Sequence, residues 1–95
     1  MKKFIMTLEG LNDDATKKLV NLFRENNLGF WHHVGDLWLI TALDNSTINC
    51  VWLRDKSAEV TGINSCFVSE VHGVNLDWAV RANKESHEWL HKNWK

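Results

Sequence analysis

Apolar and polar positions alternate along the first nine residues of the chain. Phe4, Met6 and Leu8 fall on one side of an extended segment, and more polar positions fall on the other. This period of two predicts a β-strand that turns one face toward a core. Gly10 ends the strand, and Asn12 follows as a good N-cap for a helix.

A change of period marks the first helix. Ala15, Leu19 and Phe23 recur at helical spacing, while charged and amide side chains occupy the positions between them. Asp13 and Asp14 lie in the first turn, where the helix dipole favours negative charge. The run 26–29 predicts its end.

A hairpin and a second crossover follow. The β-prone runs 30–34 and 37–43 flank Gly35-Asp36, a good two-residue turn. The segment 44–46 predicts the cap of a second helix, whose buried side carries Ile48, Val51 and Trp52. The second arm of the hairpin is apolar on both faces, as a central strand is. A last strand is predicted over 64–72, also apolar on both faces at 66–68, and strands one and three are predicted in the middle of the sheet.

The element order β-α-β-β-α-β predicts an α+β, ferredoxin-like domain that occupies the whole of residues 1–95, because right-handed crossovers favour that topology. Two helices cover only one face of such a sheet. The other face carries large apolar groups, either the Trp38 and Ile40 set or the alternate set. The C-terminal extension (76–95), a partner chain, or both must therefore cover it.

The Trp-rich extension has two interpretations. Trp78, Val80 and Ala82 alternate as in a short strand, and Asn83 is a candidate N-cap for a following helix. A single helix beginning near Asp77 is the alternative. We prefer the short strand followed by a helix.

Composition limits the classes of function. The length of 95 residues predicts one domain. The formal net charge of −1 argues against binding nucleic acid by bulk electrostatics and leaves a local basic patch open. The N-terminal apolar run is too short for a signal peptide, and no run is long enough to span a membrane. Cys50 and Cys66 are interpreted as buried thiols in a reducing cytoplasm.

Two groups of residues are candidate metal ligands. His87, Glu88 and His91 form an H-E-x-x-H pattern, which on a helix can place two imidazoles on one Zn²⁺. Only four residues follow the pattern, so a solvent-facing coincidence is the preferred interpretation. Glu9 ends the first strand and could hold Mg²⁺ or Mn²⁺ through oxygen, especially if a dimer brought two copies together. A solvated loop acid is the preferred interpretation of Glu9.

Six tryptophans are unusual in a chain of this length. Tryptophan stacks on unpaired bases and also dominates protein–protein contacts. Because the net charge is close to zero, protein contact is the favoured interpretation. The predicted interface residues are Trp31, Trp38, Trp78, Trp89 and Trp94.

The segment 28–40, with its Phe30-Trp31-His32-His33 run and Leu37-Trp38-Leu39-Ile40, resembles the hairpin of small Cas2-like proteins, loosely labelled SinR-family. The similarity continues through the helix near Ile48, the run 70–73 and two stretches of the tail, at 78–79 and 88–90. The resemblance implies a ferredoxin-like homodimer whose sheets pack face to face and whose C-terminal strand joins the partner's sheet.

The resemblance also implies a nucleic-acid role. Nuclease activity in Cas2 is attributed to an aspartate that ends the first strand. The matching position is Glu9, preceded by Leu8 where the family has an aromatic residue. The longer arm of Glu changes the metal geometry.

Three functions follow in order of preference, the first placed ahead of the second because of the resemblance. The first is a Cas2-like homodimer that binds nucleic acid and, if it is an enzyme, cleaves it as a metal-dependent endonuclease. The second is a small non-catalytic protein-binding module, such as a phage or mobile-element inhibitor of a host defence complex. The third is a zinc protein built on the H-E-x-x-H pattern.

Overall fold

The computed structural model describes residues 1–73 and 76–95. Its elements are β1 (Lys2–Leu8), α1 (Asp13–Glu25), β2 (Gly29–Val34), β3 (Leu37–Ala42), α2 (Cys50–Thr61), β4 (Cys66–Val71) and α3 (Lys84–Asn93). The predicted α+β class is confirmed. None of the helices in the described ranges is long and apolar enough to cross a membrane.

The four strands form one antiparallel sheet in the order β2-β3-β1-β4. β1 and β3 occupy the centre, and β2 and β4 are the edges. The arrangement is compatible with a ferredoxin-like fold. Directly opposed residues share a face, so the register assigns every strand side chain to one of two sheet faces.

The first helix agrees with its sequence signals. The Asn12 side chain accepts a hydrogen bond from the Ala15 backbone N–H at 2.8 Å and caps α1, and Asp13 and Asp14 lie in its first turn. The predicted hairpin turn is also present. Gly35 has φ +50, a left-handed conformation that glycine adopts without a steric penalty.

The second helix begins later than predicted. Residues 44–46 form a turn, in which the Asp44 carboxylate pairs with the N-terminal amino group at 2.6 Å. The cap is Asn49, which accepts from the Trp52 N–H. Of the residues predicted on the buried side, Ile48 is buried just before the helix and Trp52 packs partly buried on the core, whereas Val51 is exposed. Leu53 and Ser57 are the buried residues of α2 itself.

The main core lies between the two crossover helices and one sheet face. Phe23 meets the Trp38 ring edge-on with 5.5 Å between centroids, and the His32 ring stacks flat on Trp38 at 3.8 Å. Trp38 and Ile40 therefore belong to the face that the helices cover. The members of this cluster from the sheet include Phe4, Met6, Leu8, Trp38, Ile40 and Ala42.

The short strand predicted in the C-terminal extension is not found. Residues 76–83 alternate between half-buried and exposed, as in an extended chain, but they belong to no strand. A strand must lie about 4.8 Å beside an edge strand to pair with it. This segment instead lies over a sheet face, where no backbone groups are available for pairing. The helix that follows is capped by Asn83, as predicted.

Candidate partner-binding surface

A second apolar cluster lies on the sheet face opposite α1 and α2. Residues 76–95, which we call the cover segment, pack on this face. The buried members are Trp31, Leu39, Leu90 and Trp94, and the partly buried members are Ile5, Leu37, Val71, Leu76, Trp78, Val80 and Trp89. The chain therefore shields part of its own second sheet face.

Two indole N–H groups hold the cover segment in place. Trp31 donates to the backbone carbonyl of Ser86 at 3.2 Å, which joins β2 to α3. Trp78 donates to the carbonyl of Trp94 at 2.7 Å, which closes the cover segment on itself. Buried Trp side chains normally need such a partner, so these bonds fix where the large rings lie.

Gly29 leaves room for the Thr41 side chain on the neighbouring strand. A Cβ at this position would clash with Oγ1 of Thr41 on β3 and would meet the Trp89 ring at 3.8 Å. Gly29 and Thr41 are opposed in the β2–β3 register. The glycine is therefore explained by the close approach of its neighbours.

The cover segment does not fill the space beneath it. A cavity of about 600 Å³ lies between it and the sheet. Apolar side chains dominate the lining, among them Trp31, Leu39, Trp78 and Trp94. The volume falls in the range of about 300–1,000 Å³ that is usual for ligand pockets.

One row of side chains on the same face begins at the edge of the cover segment and extends beyond it. The register places Val34 opposite Leu37, Leu37 opposite Thr7, and Thr7 opposite Phe67, so the row crosses all four strands. We call it the open row. Phe67 is 64% exposed and Val34 is 47% exposed. Val34 and Leu37 also line the cavity, so the row meets the cavity at its Val34 end, and the polar Thr7 separates Leu37 from Phe67.

Acidic residues flank the open row. Glu9 follows β1 and lines a shallow depression together with Thr7 and Phe67. Asp36 lies in the hairpin turn between Val34 and Leu37. The loop segments at this end of the sheet, 9–12, 35–36 and 62–65, contain no Lys or Arg. Arg81 of the cover segment is the basic residue that borders the cavity.

The predicted interface tryptophans differ in how deeply they are buried. Trp38 is fully buried in the main core, Trp31 is buried on the sheet beneath the cover segment, and Trp94 is the buried tryptophan of the cover segment itself. Contact with a partner would require these three to leave the core, so they are interior residues in this fold. Trp78 and Trp89 are half-buried. Tryptophan predicts burial of apolar area, and here the extension supplies that burial within one chain.

Glu9 lies where the sequence predicts it, exposed at the end of β1, and its backbone N–H donates to the carbonyl of Ser65 at 3.0 Å. Within residues 1–73 and 76–95, no group of three or more His, Cys, Asp or Glu side chains is arranged to hold a metal ion. A metal at Glu9 would therefore draw further ligands from water, nucleic acid or a second copy. That role stays a prediction.

The H-E-x-x-H pattern lies on α3. His91 is exposed and meets the Trp78 ring edge-on at 5.2 Å, while His87 is half-buried. Glu88 lies 3.8 Å from the Lys84 ammonium group, in an exposed i,i+4 pair. The zinc hypothesis stays a prediction. Metal analysis of the purified protein tests it, since it requires about one zinc per chain.

Comparison of the chain with protein-family models, with curated proteins and with solved structures found no match. The function must therefore be inferred from the geometry of the chain itself.

The residues of the open row were not among the predicted site residues. Phe67 belongs to a strand that the sequence predicts to be apolar on both faces. A pattern of that kind does not tell which of the two faces is left partly uncovered. The alternation of apolar and polar residues in β1 was the one sequence feature that could have indicated the open row. Thr7 is a polar residue on the same face as Ile5, and it marks the point where the cover ends.

Proposed function

We propose that this chain is a non-catalytic protein-binding module that holds an apolar segment of a partner protein on its second sheet face. The observation that supports this most directly is that Val34 and Leu37 of the open row also line the apolar cavity beneath the cover segment. A mostly apolar pocket of this size, with exposed apolar side chains beside it, is typical of a binding site.

The energetics favour contact through a few large side chains. Each apolar side chain that the cavity takes up contributes about 1.5–3 kcal/mol from burial alone. The partly exposed Phe67 and Val34 would lose further contact with water on binding. A small number of such anchors accounts for most of the affinity in typical interfaces.

Site-specific photocrosslinking in the native host tests this function. Phe67 is replaced by p-benzoylphenylalanine, and the matched control carries the same residue at Val51, which is 54% exposed on α2. We expect one defined protein adduct at position 67 that the variant Leu37→Glu abolishes. No adduct at 67, or the same adducts at both positions, would overturn the proposal.

A second candidate is the Cas2-like role in nucleic-acid binding, with a ferredoxin-like homodimer as its active form. The strand order is compatible with the fold that the resemblance implies, and Glu9 is exposed at the end of β1. In this reading Glu9 contributes a carboxylate to Mg²⁺ or Mn²⁺, as a nuclease would need. The acidic loops at that end of the sheet count against phosphate binding without a metal.

The two candidates are separated by oligonucleotide assays at low salt. The nucleic-acid role predicts binding or cleavage that depends on Mg²⁺ or Mn²⁺, with cleavage abolished in Glu9→Ala. Glu25→Ala is the matched control, since Glu25 is exposed at the far end of α1. Absence of any binding at low salt would remove this candidate.

A further inference from the structure

We infer, on the basis of the proposed protein-binding function, that the partner segment is a basic amphipathic helix that lies across the strands along the open row. Three features of the surface select this occupant: the spacing of the row, the position of the cavity and the sign of the flanking charges.

The spacing of the row matches a helix. Val34, Leu37, Thr7 and Phe67 follow one another across neighbouring strands, about 4.8 Å apart, so the row is about 14 Å long. The apolar stripe of a helix repeats every 5.4 Å, and about ten residues of helix span that length. An extended segment presents side chains on one face about 6.8 Å apart, which fits the row poorly.

The cavity supplies an anchor point at one end of the row. Val34 and Leu37 belong to both features, and beyond them the cavity continues to Trp31 and Trp94. A large apolar side chain at one end of the helix stripe can therefore enter the cavity while the rest of the stripe lies on Phe67. Helix-in-groove recognition uses anchors of this kind at i, i+3, i+4 and i+7.

The flanking charges set the sign of the partner. Glu9 lies beside the Phe67 end and Asp36 beside the Val34 end, and both are exposed. Neither carboxylate forms an ion pair with another residue in the described ranges 1–73 and 76–95. Lys or Arg residues that border the apolar stripe would face these carboxylates. Such complementarity speeds association and discriminates against acidic segments.

A second copy of the chain fits the open row less well. Two copies meeting face to face would bring Glu9 and Asp36 of both chains into the same interface.

Synthetic peptides of about 18 residues, long enough for measurable helicity, test the inference. The first carries a Leu/Phe stripe flanked by Lys. The second has the same stripe flanked by Glu, and the third is the Lys peptide with two central prolines. Binding to the full chain is measured by fluorescence anisotropy at low salt and at about 0.15 M salt, where screening acts within about 8 Å. Amide shifts in ¹H–¹⁵N spectra map the site.

We expect the Lys peptide to bind at least about tenfold more tightly than the Glu or proline peptide, with shifts at residues 7, 34, 37 and 67. Replacing both flanking acids, with Glu9→Gln and Asp36→Asn, should weaken it about threefold to fivefold and flatten the salt dependence. Glu25→Gln should leave the affinity for the Lys peptide and its salt dependence unchanged.

Equal binding of the Glu peptide would overturn the charge assignment, and equal binding of the proline peptide would overturn the helix. Binding of no peptide, with the crosslink at position 67 still formed in the host, would overturn the inference and leave the protein-binding function intact. Loss of the crosslink as well would overturn both.

Discussion

The indole N–H of Trp31 in β2 donates a buried hydrogen bond to the backbone carbonyl of Ser86 in α3, across 3.2 Å. The two residues are 55 positions apart in the sequence. The bond joins the edge of the sheet to the helix that ends the chain. The cover segment is thereby part of the folded domain, and the shape of the apolar cavity depends on its position.

Trp31→Phe should loosen the cover segment. The variant removes the donor and leaves the ring site slightly underfilled, so we expect a loss of about 1–3 kcal/mol in the free energy of unfolding. Hydrogen exchange in α3 should accelerate more than exchange in β1. Trp52→Phe is the control, because it changes a half-buried tryptophan of α2, and it should leave hydrogen exchange in α3 unchanged. Unaltered α3 protection in Trp31→Phe would contradict this role.

Gly29→Ala should destabilise the chain through its contact with Thr41. A methyl group at position 29 overlaps Oγ1 of Thr41, and overpacking of this kind costs about 1–3 kcal/mol. Thr41→Ala removes that oxygen, so the double variant should recover part of the loss in urea denaturation. Strictly additive losses in the double-mutant cycle would show that the two side chains do not interfere.

Phe67→Ser should leave the stability almost unchanged. The side chain is largely exposed on the open row, and substitutions at such positions usually change the free energy of unfolding by less than about 0.5 kcal/mol. Leu39→Ala, on the same face but beneath the cover segment at 8% exposure, should cost about 2–5 kcal/mol. Similar losses for the two variants in urea denaturation would mean that the open row is covered in solution.

Cys66 should react slowly with alkylating reagents. Burial raises the pKa of its thiol, and the nearby Arg54 guanidinium opposes the shift only in part. A raised folded-state pKa contributes stability below the pKa of the unfolded chain, and this is lost as the pH rises through the folded value. The Cys50→Ser variant leaves Cys66 as the one reactive thiol. Its rate of reaction with iodoacetamide, plotted against pH, should have a higher midpoint in the folded protein than in the protein unfolded by urea. A midpoint at or below the unfolded value would refute this.

The strands, the first helix and the hairpin turn could be predicted from the sequence because local signals determine them. Asn12 supplies a side-chain acceptor where α1 needs one, and Gly35 supplies the backbone conformation of the turn. The predicted start of α2 was wrong because two good N-cap sequences, residues 44–46 and Asn49, lie close together. Residues 44–46 form a turn instead, and Asn49 caps the helix.

The candidate site was less accessible to sequence reasoning. The six tryptophans indicated a large buried area, but no local pattern tells whether a second chain or the same chain provides the burial. The extension does so here, and Trp31 and Trp94 become interior residues. The open row is assembled by register from four strands, so its members are adjacent only after folding.

The indole proton of Trp31 is the most direct probe of the central claim, that each chain covers part of its own second sheet face. NMR of a sample mixing isotope-labelled and unlabelled chains separates contacts within a chain from contacts between chains. We predict slow solvent exchange of this proton and nuclear Overhauser contacts to α3 of the same chain, independent of protein concentration. Rapid exchange, or contacts to α3 found only between different chains, would contradict the account.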